Sequence, residues 1–520
     1  MRSFLVLILI GTLGFLVGCG GNGTPAGVVL SVTLTPSSAT LTGGQSVNIV
    51  ASVANDSSGK GVSWSLTGLG TLSAQTTTSA TYTAPNPITA TSIATVVATS
   101  IASSSVTGSL PITLSPPGAS NTVPISVNGG LLGGNPVYAN GAFVSVQICG
   151  TVGSASCQTI DNILVDTGSF GLRVLGSQLT SQVAASLSSY TSNGDTLYDC
   201  VSFLDGSFLW GAVAPATIVL GDETAPTTSI QVIANPNFGI PGTCSSNGTG
   251  QNEDTQALLG ANGILGVGPE PFDCGTACDP VQNPGGQEPV YYLCGSGGGC
   301  SETLVSCGAL CQDPNPNIQV TNPVFNFPVD NNGVILTLSA VNDVAPTASG
   351  TITFGIGTET NNALPTTATV LNLDQSDNFI TNFASQSLTA SFIDSGSNGL
   401  FFQDAALAGD VCPGTDDNWY CPPSTVGPLS ATNVGASGTP SSTVTFSVDN
   451  FETVTGNNPT AAAFSNLAGP LPGVTGTCST SNPTACTFDW GLPFFYSRSV
   501  FTAIDNGTSI GSFPTPFFAY

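Results

Sequence analysis

Ile163-Leu164-Val165-Asp166-Thr167-Gly168-Ser169-Phe170-Gly171-Leu172 has a near-duplicate later in the chain, Ser391-Phe392-Ile393-Asp394-Ser395-Gly396-Ser397-Asn398-Gly399-Leu400. Each copy is a short apolar run that ends in Asp-[Thr/Ser]-Gly-Ser, then a residue or two, Gly and Leu. An apolar strand running into a small Gly-bearing turn pushes one carboxylate out of a sheet edge. Two such turns facing each other predict a carboxylate pair, Asp166 with Asp394.

The surrounding composition narrows the chemistry. The 520-residue chain holds 63 Gly and 36 Pro and shows no long helix-period pattern, so an all-β fold is expected. Lys and Arg total 4 against 30 Asp and Glu, a formal charge of -26. Without a basic patch, nucleic acid and anionic membrane surfaces are poor partners. There is no histidine. That excludes Ser-His-Asp and Cys-His catalysis and His-ligated metal, leaving acid–base work to carboxylates. No cofactor or metal is called for, and a monomer is expected. So few cations also suit function at low pH.

At the N-terminus, Arg2 precedes an apolar segment from Phe4 to Val17, the form of a secretory signal. Leu16-Val17-Gly18-Cys19 resembles the lipobox of bacterial lipoproteins. The resemblance implies a signal peptide over 1–19 and lipidation of Cys19. The protein would then be exported and lipid-anchored at the bacterial cell envelope, on the outer membrane or cell surface. Cysteine count agrees: of 15, removing Cys19 leaves fourteen, enough for seven disulfides in an oxidising compartment. Local pairs are expected at Cys149–Cys157, Cys412–Cys421 and Cys478–Cys486, with Cys200 and Cys244 as a longer link. Connectivity among Cys274, Cys278, Cys294, Cys300, Cys307 and Cys311 stays open, with a metal cluster as the rival reading.

Residues 28–115 carry regular short alternating runs, including Ser46–Ala54 and Ile93–Ser100, which predict a β-sandwich. The segment resembles bacterial immunoglobulin-like domains in its opening strand, in Val62-Ser63-Trp64-Ser65-Leu66 with a core Trp, and in Ala80–Pro85. It reads as a spacer. Residues 116–122 read as a linker, and 123–520 as one bilobed unit. Lobe 1 is placed at about 123–320 with a Cys-rich surface insertion at 270–315, and lobe 2 at about 321–520.

Within that unit, Val201–Gly211 contains an Asp205-Gly206-Ser207 turn between apolar residues, a hairpin signal. Asn262–Gly268 gives an apolar pair followed by Gly. Asn322–Phe327 and Gly350–Gly355 are expected as strands. Phe488-Asp489-Trp490-Gly491 gives a second apolar-Gly element before Ser499–Asp505.

This order resembles pepsin-like aspartic peptidases over about 123–520: a first Asp loop, a flap hairpin, an apolar-Gly element, a second Asp loop and a closing apolar-Gly element. The order is also similar to that of a bacterial family of lipoproteins with a pepsin-like domain of unknown function. The resemblance implies a bilobed β-barrel fold, with Asp166 and Asp394 as the catalytic dyad activating a water. It implies that Thr167 and Ser395 bond across the loops, that Gly168 and Gly396 let the backbones approach, and that Ser169 and Ser397 support the carboxylates. Turn capping is the alternative role for those side chains. Phe203, Asp205, Gly206 and Ser207 would form the flap over substrate. Three departures stand out. Phe203 sits where active members carry Tyr, Asp205 adds a carboxylate near the flap tip, and the closing element reads Asp-Trp-Gly. The expected function is an exported lipid-anchored aspartic endopeptidase acting on polypeptide. The alternative is a non-catalytic surface module that binds polypeptide or glycan on the same fold.

Overall fold

Contacts divide the chain into two units, Met1–Gly118 and Ala119–Tyr520. The computed structural model describes residues 30–520 apart from 37–38, 42–43, 45, 86–87, 89–91, 115–120, 133–136, 152–155, 234–238, 246–249, 285–289 and 313–314. The expected signal segment, Cys19 and most of the 116–122 linker lie outside the described residues. Among the described residues, no helix is long and apolar enough to cross a membrane.

Period-2 alternation builds the first unit. Ser31–Thr35 turns Val32 and Leu34 inward, and Ser92–Ser100 turns Ala94, Val96 and Ala98 inward. One sheet runs in the order Ser31–Thr35, Ser46–Ala54, Ser79–Thr83, Thr71–Ser73. The other runs Ala39–Leu41, Thr107–Leu114, Ser92–Ser100, Val62–Thr67. Both contribute to one apolar cluster that includes Ile49, Tyr82, Val96 and Ile112. Trp64 is not the core aromatic expected from its strand. It is part-buried, and its indole Nε1 donates to the Thr76 carbonyl at 2.7 Å. Tyr82 takes the central place, its ring buried and its hydroxyl donating to the Leu69 carbonyl at the margin, at 2.7 Å.

The second unit is also mostly β. A long sheet joins its two ends: Thr122–Val127 pairs antiparallel with Ala142–Cys149 on one side and with Ala348–Phe354 on the other. From there the sheet continues through Gly333–Leu338, Ser499–Ala503 and Phe517–Ala519. A separate seven-stranded sheet carries Gln386–Ile393, Leu400–Phe402 and Phe488–Trp490.

The sequence repeat becomes a structural repeat. In the first copy, Gly263–Val267 lies between Cys157–Asp166, to which it is parallel, and Phe170–Leu175, to which it is antiparallel. In the second, Phe488–Trp490 lies between Gln386–Ile393 and Leu400–Phe402 in the same two senses. Each central strand crosses beneath an Asp loop and needs glycine there. A Cβ on Gly266 would stand 2.6 Å from the Phe170 nitrogen, and one on Gly491 would stand 2.0 Å from the Gly399 carbonyl oxygen.

Two expectations are corrected. Asn322–Phe327 is not a strand; Pro323–Asn326 forms a 3-10 turn. Pro at the first turn position lacks the N–H a ladder needs, and the Asn322 side chain caps the turn through the Val324 N–H at 3.1 Å. The Cys-rich segment is not simply a surface insertion. Its strand Tyr291–Cys294 extends the long sheet by pairing with Asp195–Ser202, and Tyr291 and Tyr292 are buried. Among the described residues seven disulfides form, the four expected pairs among them. The remaining six cysteines pair locally as Cys274–Cys278, Cys294–Cys300 and Cys307–Cys311.

Candidate functional site

Each Asp sits where its strand stops. Ile163, Leu164 and Val165 are buried, and the strand ends on Asp166; Ile393 is buried and precedes Asp394. The loops beyond these strands touch. A Cβ on Gly168 would fall 2.5 Å from the Asp394 carboxyl carbon, and one on Gly396 would fall 2.7 Å from Asp166 Oδ1. The two carboxyls therefore lie side by side where the loops meet.

A reciprocal set of bonds fixes this approach. Thr167 Oγ1 accepts from the Ser395 N–H at 2.9 Å and donates to the Ile393 carbonyl at 2.9 Å. Ser395 Oγ accepts from the Thr167 N–H at 3.1 Å and donates to the Val165 carbonyl at 2.7 Å. Both side chains are buried, so these hydroxyls compete with little water. Each carboxyl is held the same way from its own loop. Gly168 N–H donates to Asp166 Oδ1 at 2.8 Å, and the Ser169 hydroxyl bonds to Asp166 Oδ2. Gly396 N–H donates to Asp394 Oδ1 at 2.7 Å, and Ser397 Oγ lies 2.9 Å from Asp394 Oδ2.

Like charges this close resist joint ionisation. Burial first, then the charges of Asp166 and Asp489, push the Asp394 carboxyl well above its usual range. Titration then belongs to the pair, and the neutral form of Asp394 is favoured.

The pair opens on a cavity of about 760 Å³. Of the sequence-predicted residues, Asp166, Thr167, Gly168, Ser169, Asp394, Gly396 and Ser397 line it, while Ser395 is buried behind the loop contact. Phe203, Asp205 and Ser207 line it from the turn between Asp195–Ser202 and Phe208–Leu220. Asp205 is spent locally, accepting from Ser207 N–H at 2.9 Å and Ser207 Oγ at 2.7 Å. Gly206, with φ 85°, serves that turn and is not among the lining residues.

Three lining residues escape the sequence reading. Tyr138 is hydrogen-bonded to Asn398 and held as a neutral phenol by burial, with Glu253, Asp166 and Asp394 all opposing its ionisation. Glu253 is raised to about 7 by burial and by Asp205. Asp489, 3% exposed, is raised to about 8, chiefly by burial. Tyr138 and Glu253 carry no local signal. Asp489 does: it is an acid in an otherwise apolar strand. Among the described residues, no cluster of three Cys, Asp or Glu could hold a metal ion.

A sequence-family model described as "Protein of unknown function (DUF3443)" matches residues 117–520. No curated protein matches. Among solved structures, the crystal structure of a DUF4784 family protein from Bacteroides caccae is similar at 9% identity and a TM-score of 0.12. That match covers 41% of this chain and 59% of that chain, and a likeness so slight supports no conclusion about fold or function.

Proposed function

The chain belongs to the family of proteins of unknown function DUF3443, and we propose that it is an aspartic endopeptidase with a pepsin-like fold. The observation that carries this reading is the Asp166–Asp394 pair, brought together by two interlocked loops and open to a cavity. In the proposed reaction, a water between the carboxyls loses a proton to the ionised member. Its oxygen attacks the scissile carbonyl carbon, while the protonated member gives its proton to the carbonyl oxygen. Collapse of the resulting diol breaks the C–N bond as the nitrogen is protonated. Acid and base roles belong to the pair, not to either residue. Leu164, Ile264, Phe392 and Phe401 offer apolar walls for side chains flanking the scissile bond. The turn at Phe203–Ser207 would cover bound polypeptide as a flap.

We also propose export and lipid anchoring through Cys19, with the first unit as an immunoglobulin-like spacer. The disulfides fit an oxidising compartment. A non-catalytic binding module is the second reading. The observation favouring it is Phe203, which brings no hydroxyl to the hairpin tip.

The test is cleavage of an unfolded protein across about pH 2.5 to 7, a range that brackets a carboxylate pair. Wild type is expected to cleave. Asp166→Asn is expected to lose about 10²–10⁴-fold or more in kcat, the scale of general acid–base catalysis. A folded wild type that cleaves at no pH removes the enzyme reading and leaves the binding module.

A further inference from the structure

Ser397 stands between two carboxyls with one proton to give. Its Oγ lies 2.9 Å from Asp394 Oδ2 and 2.6 Å from Asp489 Oδ2. A serine hydroxyl donates once and accepts otherwise. If both carboxyls were ionised, one of these contacts would be oxygen against oxygen with no hydrogen between. The geometry closes when one of the two carries a proton: on Asp394 it sends the Ser397 proton to Asp489, and on Asp489, whose other oxygen has no hydrogen-bond partner, the order reverses. Asp489 then donates to Ser397 Oγ, and Ser397 donates onward to Asp394.

The position of Asp489 is set by its strand. Phe488 and Trp490 stack at 4.1 Å on the core face, so Asp489 between them points the other way. It lines the cavity, and its Oδ1 is buried without a hydrogen-bond partner. The repeat supplies an internal comparison. Trp490 pairs with Ile393, one residue before Asp394, as Leu265 pairs with Val165, one residue before Asp166. Ile264 is therefore the counterpart of Asp489, and it also lines the cavity. One half of the repeat has an aliphatic side chain where the other has an acid. A purely packing role would be met by the aliphatic.

We propose that Asp489 is a positioning residue of the aspartate pair: protonated, it turns the Ser397 hydroxyl proton onto Asp394, and ionised, it takes that proton for itself. This rests on the peptidase reading given above. On ionisation the Asp489 proton leaves to water in the cavity. Ser397 keeps its own proton and swings it from Asp394 Oδ2 to Asp489 Oδ2. Asp394 loses a donor and gains a second negative neighbour, so the pair keeps its shared proton, and with it the active form, to higher pH.

The ionisable groups facing Asp489 are Asp394 and Asp166. Its sheet partners are Phe392 and Phe401, which bring no charge. Among the described residues, ion pairs are made by Arg173 with Asp199 and Asp273, not by Asp489. Nothing cationic offsets its ionisation, in keeping with its carboxyl being raised to about 8.

The test compares wild type, Asp489→Asn and Asp489→Ile, each kcat/KM profile normalised to its own maximum. Asn donates to Ser397 at every pH; Ile leaves Ser397 free to serve Asp394. The alkaline limb is expected to move down by about one pH unit or more in both variants, about a tenfold loss relative to wild type on that limb. An unmoved limb in both overturns the proposal. A second readout needs no activity. A carboxyl raised in the fold adds stability fully present below its unfolded value and lost as pH rises through its folded one. The Tm of Asp489→Asn minus that of wild type should therefore grow between about pH 5 and 8. A constant difference overturns the protonation of Asp489. If wild type cleaves nothing, the peptidase reading falls, and this Tm difference alone decides whether Asp489 carries the proton.

Discussion

Arg173 is buried to 1% exposure, directly after the first Asp loop, with a carboxylate on each side. Its Nη1 bonds to Asp199 and, at 3.0 Å, to Gln231 Oε1; its Nη2 reaches Asp273 Oδ2 at 3.1 Å. Tyr291 donates its hydroxyl to Asp273 Oδ1 at 2.6 Å. One cation thus ties the return strand to the hairpin and to the Cys-rich segment. Burial, followed by the Asp199 charge, raises Asp273 to about 7 even against the guanidinium. Arg173→Met would strand two buried acids, and breaking such a pair costs about 3–5 kcal/mol. Urea unfolding at pH 7 should show a loss on that scale. The loss should shrink at about pH 4, where the stranded acids protonate. None of this was readable from the chain. Arg173 stands out as one of 4 cations, but its partners lie 26 and 100 residues away. The Asp loops were readable because their signature is local: a strand, then acid, hydroxyl, glycine and hydroxyl in four consecutive positions. Asp489 fell between these cases. Its oddity is visible in the sequence, while its bond to Ser397 spans 92 residues and needs the fold.

At the scale of elements, alternation and glycine placed most strands, and the misses have physical causes. Asn322–Phe327 is apolar enough for a strand, but Pro323 and a capping Asn turn it into a 3-10 turn. Trp64 lies on a strand whose pattern alternates only between exposed and part-buried beyond Val62, so its large ring stays near the surface. Cysteines close in sequence could be paired by eye, and the six in the Cys-rich segment could not, because several pairings are equally local. The link Cys200–Cys244 differs from the others by closing a separation of 44 residues. It pins a strand of the hairpin that lines the cavity, and both cysteines are buried. Loop closure of that length is worth up to about 4 kcal/mol in the unfolded chain. Cys200→Ser with Cys244→Ser should lower unfolding free energy by about 2–4 kcal/mol in non-reducing urea titrations. A change under about 0.5 kcal/mol would show that the hairpin is held by its sheet pairing alone.

Across the whole molecule, the buried acids that are clearly displaced move in one direction. Burial, with neighbouring acids, raises Glu223 and Glu253 to about 7, Glu270 to about 8, Asp377 to about 6 and Asp489 to about 8. Asp56, at the surface, is lowered by its bonds to Ser58 and runs the other way. A carboxyl raised in the fold prefers its neutral form there, so its contribution is complete below about pH 4 and is lost as pH climbs through 6 to 8. The usual acid-unfolding force is also weak. With every carboxyl neutral, the side chains carry only the 4 charges of Lys and Arg, so self-repulsion stays small. At neutral pH, by contrast, the formal charge of -26 works against compactness. Both terms have the same sign. Thermal unfolding should therefore give its highest Tm between about pH 3 and 5 and a falling Tm from there to about pH 8. A Tm that rises from about pH 4 to about pH 7, the ordinary behaviour of proteins whose acids are salt-bridged, would contradict the buried neutral state of these carboxyls.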